Sequence, residues 1–334
     1  MEKFKAFCKR KNIEVSAKRY GIDALGAMAQ GLFCSLLIGT IIKTLGAQLG
    51  VPFLTDIGTY AMSVSGPAMA VAIGYALKAD PMVLFSLAAV GWAANAEGGA
   101  GGPLAVLIIA ILAAECGKAV SKETKIDILV TPAVTILVGV ALAKWIAPPI
   151  GTAASAFGLV IDNATRLQPF WMGIAVSVLV GVALTLPISS AAICAVLKMT
   201  GLAGGAAVAG CCAQMVGFAV MSFKENRWGG LVSQGLGTSM LQMPNIVRNP
   251  RVWIAPTLAS AITGPIATCV FHLEMNGAPI NSGMGTCGLC GLIGVAGPHP
   301  RRHRAARHPC SAHQYGLPTP RLGQGRRPEA RLRK

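Results

Sequence analysis

Between Ser222 and Asn245 the chain reads SFKENRWGGLVSQGLGTSMLQMPN, gathering Glu225, Asn226, Gln234, Gln242 and Asn245 with the hydroxyls of Ser233, Thr238 and Ser239. An amide both donates and accepts hydrogen bonds, and a carboxylate accepts strongly from hydroxyls, so this set suits a solute rich in hydroxyl groups, such as a sugar. Trp228 adds a flat apolar face for a sugar ring, although its place beside a loop also fits an interfacial belt. Left unpaired in a dry interior, each polar group costs on the order of 1–3 kcal/mol, so the stretch implies a wet chamber or a ligand. Pro244 and the glycines at 229, 230, 235 and 237 argue against a continuous helix here. Broken helix ends would aim unpaired amides and carbonyls at the chamber.

Other chemistry-bearing residues are sparse. Glu97 lies in the glycine-rich NAEGGAGGP, in otherwise apolar surroundings, and His272 ends an apolar run near Glu274. An ionisable group inside a membrane is a functional candidate by default. Glu115 and Lys118 stand one helical turn apart and suit a simple ion pair. Cys287-x-x-Cys290 followed by His299-x-x-x-His303 mimics a zinc finger, but only eight residues separate the two pairs where about twelve are usual. No metal and no cofactor is expected. Six of the ten cysteines fall in or beside apolar runs and read as small packing residues.

The elements that must hold these groups follow from composition. The chain is 53% hydrophobic and 13% charged, against about 25% charged for a soluble domain. Apolar runs at about 22–42, 58–77, 82–94, 103–119, 128–147, 169–197, 201–223 and 252–272 are of membrane-crossing character, and none alternates as a barrel strand would. The fold class is all-α: a polytopic helical integral membrane protein with about 8–10 membrane segments, including re-entrant hairpins. The run 82–119 reads as a hairpin turning at NAEGGAGGP. Basic loops at Lys198, at KENR and at Arg248 with Arg251 cannot all face one side unless the chain turns back between them. The places predicted for that are GLAGGAAVAGCC and the run from Ser233 to Asn245.

Residues 1–20 form a basic segment, with seven Lys or Arg against Glu2 and Glu14, which predicts a cytoplasmic amino terminus and no cleavable leader. Residues 21–296 form the membrane domain. Residues 297–334 form a basic Pro/Arg/His-rich tail that reads as disordered, and its composition also fits an out-of-frame translation of a GC-rich gene. That tail carries +9 of the formal charge of +16, and the remainder sits mostly in short loops, so the charge speaks for topology and lipid headgroups and against nucleic acid. No soluble stretch of even about 80 residues is present to hold a second domain.

The motifs KRKNIEVSAKRYGIDALGAMAQGLF, SKETKIDILVTPAVTI, LTLPISSAAI, GCCAQMVGFAVMSFKENRWGG, QGLGTSMLQMPNIVRNPRVWIAPTLAS and SGMGTCGL together resemble bacterial membrane proteins of the phosphotransferase-system enzyme IIC family, which includes the perfringolysin O regulator type. The likeness runs from about residue 9 to 291. It implies a homodimeric sugar permease of the bacterial plasma membrane, with a cytoplasmic IIB partner, itself charged by IIA, phosphorylating the incoming sugar. It also implies a glutamate and a histidine near the sugar, for which Glu225 or Glu97 and His272 are counterparts by residue type, and at least one more membrane segment after GMGTCGL. Two other readings stay open: a membrane sensor that controls gene expression through a cytoplasmic partner, and a proton-coupled transporter using Glu97 or His272.

Overall fold

The computed structural model describes Glu2–Ala296. Helices α1 (Glu2–Arg10), α2 (Arg19–Leu49), α3 (Pro52–Ser63) and α4 (Ser65–Ala76) open the chain. Gly50, at φ 66, ends α2 in the left-handed conformation, and α3 and α4 form an apolar pair bent by 47°. Next come α5 (Pro81–Gly98) and α6 (Gly102–Val120). Together they cover 40 residues, about 60 Å of helix and twice a hydrocarbon core. They fold back instead: Gly99 adopts φ 49, ψ −118, and a Cβ on Gly98 would fall 2.9 Å from that of Ala105. Gly99 reaches this conformation without strain because it has no side chain. The hairpin predicted at NAEGGAGGP is therefore present.

Helix α7 (Asp127–Thr165) runs 39 residues, through Pro132, Pro148 and Pro149 and well past the predicted end at 147. Prolines are tolerated inside membrane helices, and here the Thr152 hydroxyl makes a one-turn back-bond to the Pro148 carbonyl at 3.0 Å. Helix α8 (Pro169–Thr185) ends earlier than predicted, because Pro187 holds the preceding Leu186 extended at ψ 157. The short α9 (Ser190–Val196) follows, then α10 (Gly201–Met221), α11 (Phe223–Val232), α12 (Met243–Arg248), α13 (Ile254–Pro265) and α14 (Cys290–Ala296).

Five stretches among the described residues are long and apolar enough to cross a membrane, besides the bent α3–α4 pair, and two shorter apolar helices accompany them. The protein is an all-α, multi-pass membrane protein.

Two cores form. The larger joins α2, α4, α5, α6 and α7 through residues such as Met28, Met69, Leu87, Ile109 and Ala143. The second lies among α7 to α10. Alongside it, α8 and α13 pack in antiparallel register at steps of four residues. The Thr268 hydroxyl donates to the Pro169 carbonyl at 2.9 Å, Gly264 faces Gly173, and the Ser177 hydroxyl donates to the Ser260 carbonyl at 2.7 Å. Helix α10 closes onto the same seam, where a Cβ on Gly210 would fall 2.0 Å from the Ser177 carbonyl oxygen. Small residues admit such an approach and side-chain hydroxyls bridge it, as apolar burial alone cannot hold helices together in lipid. The turn-back predicted within GLAGGAAVAGCC is thus absent: those glycines form the packing face of an unbroken α10.

Candidate functional site

After α10 the chain cannot continue straight. Ser222 leaves the helical region at φ −87, ψ 0, and within α11 Arg227 kinks the backbone at φ 51, ψ −146. A wide π-turn spans Ser233–Gly237, and Thr238 is extended at φ −157, ψ 145. Its hydroxyl accepts from the Met240 amide at 3.2 Å, starting the 3-10 turn Ser239–Gln242. Pro244 then falls in the first turn of α12, where its missing N–H would have had no helical partner. The interruption expected between Ser233 and Asn245 is therefore built from glycine, one extended residue and a terminal proline.

This broken segment folds around a cavity of about 580 Å³. Glu225, Asn226, Gln242, Asn245, Arg248 and Asn249 supply its polar walls with Ser222, and Phe218, Met221 and Val252 its apolar side. Asn245 Nδ2 donates to Gln242 Oε1 at 2.7 Å, fixing the amide of the buried Gln242. Gln234 is also buried; its Nε2 donates to Ser222 Oγ at 3.0 Å, and its Oε1 has no partner. Among the described residues Glu225 and Arg248 enter no ion pair, so one acid and one base face the cavity uncommitted. The volume falls in the range of about 300–1,000 Å³ usual for small-molecule sites. Uncharged overall, amide-rich and apolar on one side, it suits a neutral polyhydroxylated solute better than an ion.

Of the eight residues singled out in the sequence, Glu225, Asn226, Gln242 and Asn245 line this cavity, and Gln234 reaches it through Ser222. Three lie outside its lining. Trp228 is 71% exposed and packs edge-on against Phe223 at 5.5 Å. Glu97 is not in apolar surroundings: the hairpin turn brings it to Lys144 Nζ at 2.6 Å, on an exposed lysine. His272 is exposed at φ 45, just past the π-turn that extends α13. Arg248 and Asn249 belong to the lining although the sequence marked Arg248 only as a loop charge. Their position directly after the polar run, in NIVRNPR, was the available signal.

A family model described as Phosphotransferase system, EIIC matches residues 22–306. The chain belongs to that family. The EIIC match covers every residue of the cavity and both helical cores. It makes the protein a sugar-permease subunit that works with the other phosphotransferase components. No curated protein and no solved structure matches the chain. The match continues into the basic tail at 297–334, whose predicted disorder and frame shift lie outside the described residues.

Proposed function

We propose that the cavity between α10, α11 and α12 is the sugar site of this EIIC subunit, and that a cytoplasmic IIB component phosphorylates the sugar bound there. The observation that carries this reading is the convergence of Glu225, Asn226, Gln242, Asn245 and Arg248 on one 580 Å³ space with an apolar wall. Hydroxyls would donate to Glu225 and accept from Arg248, while the amides serve both directions. Met221, Phe218 and Val252 would face the C–H side of the ring. The same reading places the protein in a bacterial plasma membrane as a homodimer, with the basic amino-terminal segment in the cytoplasm.

Calorimetry with a panel of hexoses, disaccharides and ascorbate tests the site. One of these should bind the full chain, and Glu225→Gln and Gln242→Ala should each weaken that binding at least about tenfold while leaving membrane insertion intact. Full binding by both variants would remove the cavity from consideration. Vesicles lacking IIB and phosphoenolpyruvate should take the sugar up slowly; rapid accumulation on a pH gradient alone would make the protein proton-coupled instead. The exposed Lys144 partner of Glu97 gives little support to a proton path there.

A further inference from the structure

Directly behind the cavity, on the helix that forms its apolar wall, sits the one amide of α10. Gln214 lies one helical turn before Phe218 on the same face, is 0% exposed, and its Oε1 has no hydrogen-bond partner. Its Nε2 donates to Thr257 Oγ1 at 3.2 Å, and Thr257 donates to the Trp253 carbonyl at 2.8 Å. Trp253 adjoins the cavity-lining Val252, and its indole Nε1 is likewise buried with no partner. Gln214 on α10 thus holds a free acceptor, and Trp253, in the 3-10 turn Pro250–Trp253 that leads into α13, a free donor. A hydroxyl group, which donates and accepts, suits either of them, whereas an apolar group suits neither. A structural role alone would favour leucine at 214, since a buried amide oxygen without a partner costs on the order of 1–3 kcal/mol.

We propose that Gln214, Thr257 and Trp253 form an inner station for a solute hydroxyl, shut off from the 580 Å³ cavity by the side chain of Phe218. Phe218 is 1% exposed and lines the cavity, one helical turn from Gln214 on α10. Beyond Gln214 the seam continues through small and hydroxyl residues: Gly181 beside the Gln214 side chain, then Gly210, Ser260 and Ser177. A rotamer change of Phe218 extends the polar lining inward along this seam without moving a helix. The station rests on the reading of the cavity as the sugar site.

Thiol labelling separates the two ideas. In the full chain in vesicles, N245C and Q214C are treated with methanethiosulfonate-ethylammonium, and modification is read residue by residue by peptide mass spectrometry. N245C should label rapidly, and Q214C slowly. In an F218A background Q214C should label at least about tenfold faster while N245C keeps its rate. Unreactive N245C would overturn the wet cavity itself. Reactive N245C with Q214C unlabelled in both backgrounds, or labelled at one rate in both, would overturn the inner station alone. If F218A does not insert, F218L serves, with an intermediate acceleration expected.

Discussion

Two polar clusters in this protein surround cavities, and they treat their own charges in opposite ways. Under the amino-terminal segment, a cavity of about 300 Å³ is walled by Arg10, Lys11, Lys118 and Lys122 with Asp80 and Glu123. There Arg10 and Lys11 meet Glu123 at 2.7 and 2.5 Å, and Lys122 meets Asp80 at 2.7 Å. The buried Lys118 meets Glu115 at 2.9 Å and donates to the carbonyls of Asn12 and Leu77. Around the 580 Å³ cavity, by contrast, Glu225 and Arg248 stay uncommitted and Gln234 Oε1 has no partner. A cluster whose acids are each paired with a cation fastens the amino-terminal segment to the α4–α5 and α6–α7 loops. One whose acid stays unpaired is arranged for a solute. Polar density alone, which is what a sequence displays, does not tell these two apart.

The comparison breaks if perturbing the paired cluster leaves stability alone, and the largest effect is expected at its centre. Lys118→Met leaves the half-buried Glu115 beside an apolar side chain, and removing one partner of a largely buried pair costs about 3–5 kcal/mol. Unfolding of the variant in detergent should shift by that amount while the sugar affinity of the folded fraction is unchanged. Glu225→Gln is the mirror case: loss of a hydrogen bond to a charged group, about 1.5–3 kcal/mol, lowers sugar affinity roughly ten- to hundredfold. Its stability should stay within about 0.5 kcal/mol, because Glu225 is exposed and enters no ion pair. A variant that reversed these signatures would mean that the clusters have exchanged roles.

A smaller effect should appear on acidification. The Lys122 ammonium hydrogen-bonded to Asp80 holds its carboxyl below the usual carboxylate range; partial burial works the other way, and the Ser121 hydroxyl adds to the lowering. A carboxylate whose folded-state value is depressed contributes stability above its unfolded value and loses it as pH falls through the folded one. The melting temperature should therefore drop below about pH 4, and Asp80→Asn should flatten part of that drop. With side chains 35% and 71% exposed, the pair is screened by solvent, so the contribution is under about 1 kcal/mol and fades in high salt. An acid limb identical in the variant would show that the pair contributes nothing.

Much of this arrangement was legible in the residues. NAEGGAGGP announced its hairpin because a run of small residues followed by proline has little else to do between two apolar arms. The interruption at Ser233–Asn245 was legible from Gly235, Gly237 and Pro244. GLAGGAAVAGCC misled for a physical reason: glycines that break a helix and glycines that let helices touch look alike until the partner is known. Here the partners of Gly210, Ser177 and Ser260, lie 33 and 50 positions away in sequence. The run read as ending at 147 shows the opposite case, because α7 continues through Pro148 and Pro149 to Thr165. Gln214 carried a signal that was passed over, as the sole amide in a 21-residue apolar helix. What no sequence reading supplied is that Thr257 would meet it across the α10–α13 seam.

The smallest expected effect sharpens the site's outline. Trp228 sits within four residues of Glu225 and Asn226, which made it the natural stacking partner for a ring. The kink at Arg227 separates them: Glu225 and Asn226 remain on the cavity side, while Trp228 turns outward onto Phe223, edge to face. An indole that exposed beside an apolar helix suits the boundary between lipid and water, where its flat body and N–H tip are both satisfied. Trp228→Ala should consequently change sugar affinity by less than about twofold, under about 0.4 kcal/mol. Tryptophan fluorescence offers a second reading, since a W228F variant should retain whatever quenching the sugar produces through the half-buried Trp253. If Trp228→Ala weakens binding as much as Glu225→Gln does, the ring must close over the cavity in the loaded state, and the kink at Arg227 would then be the hinge that carries it.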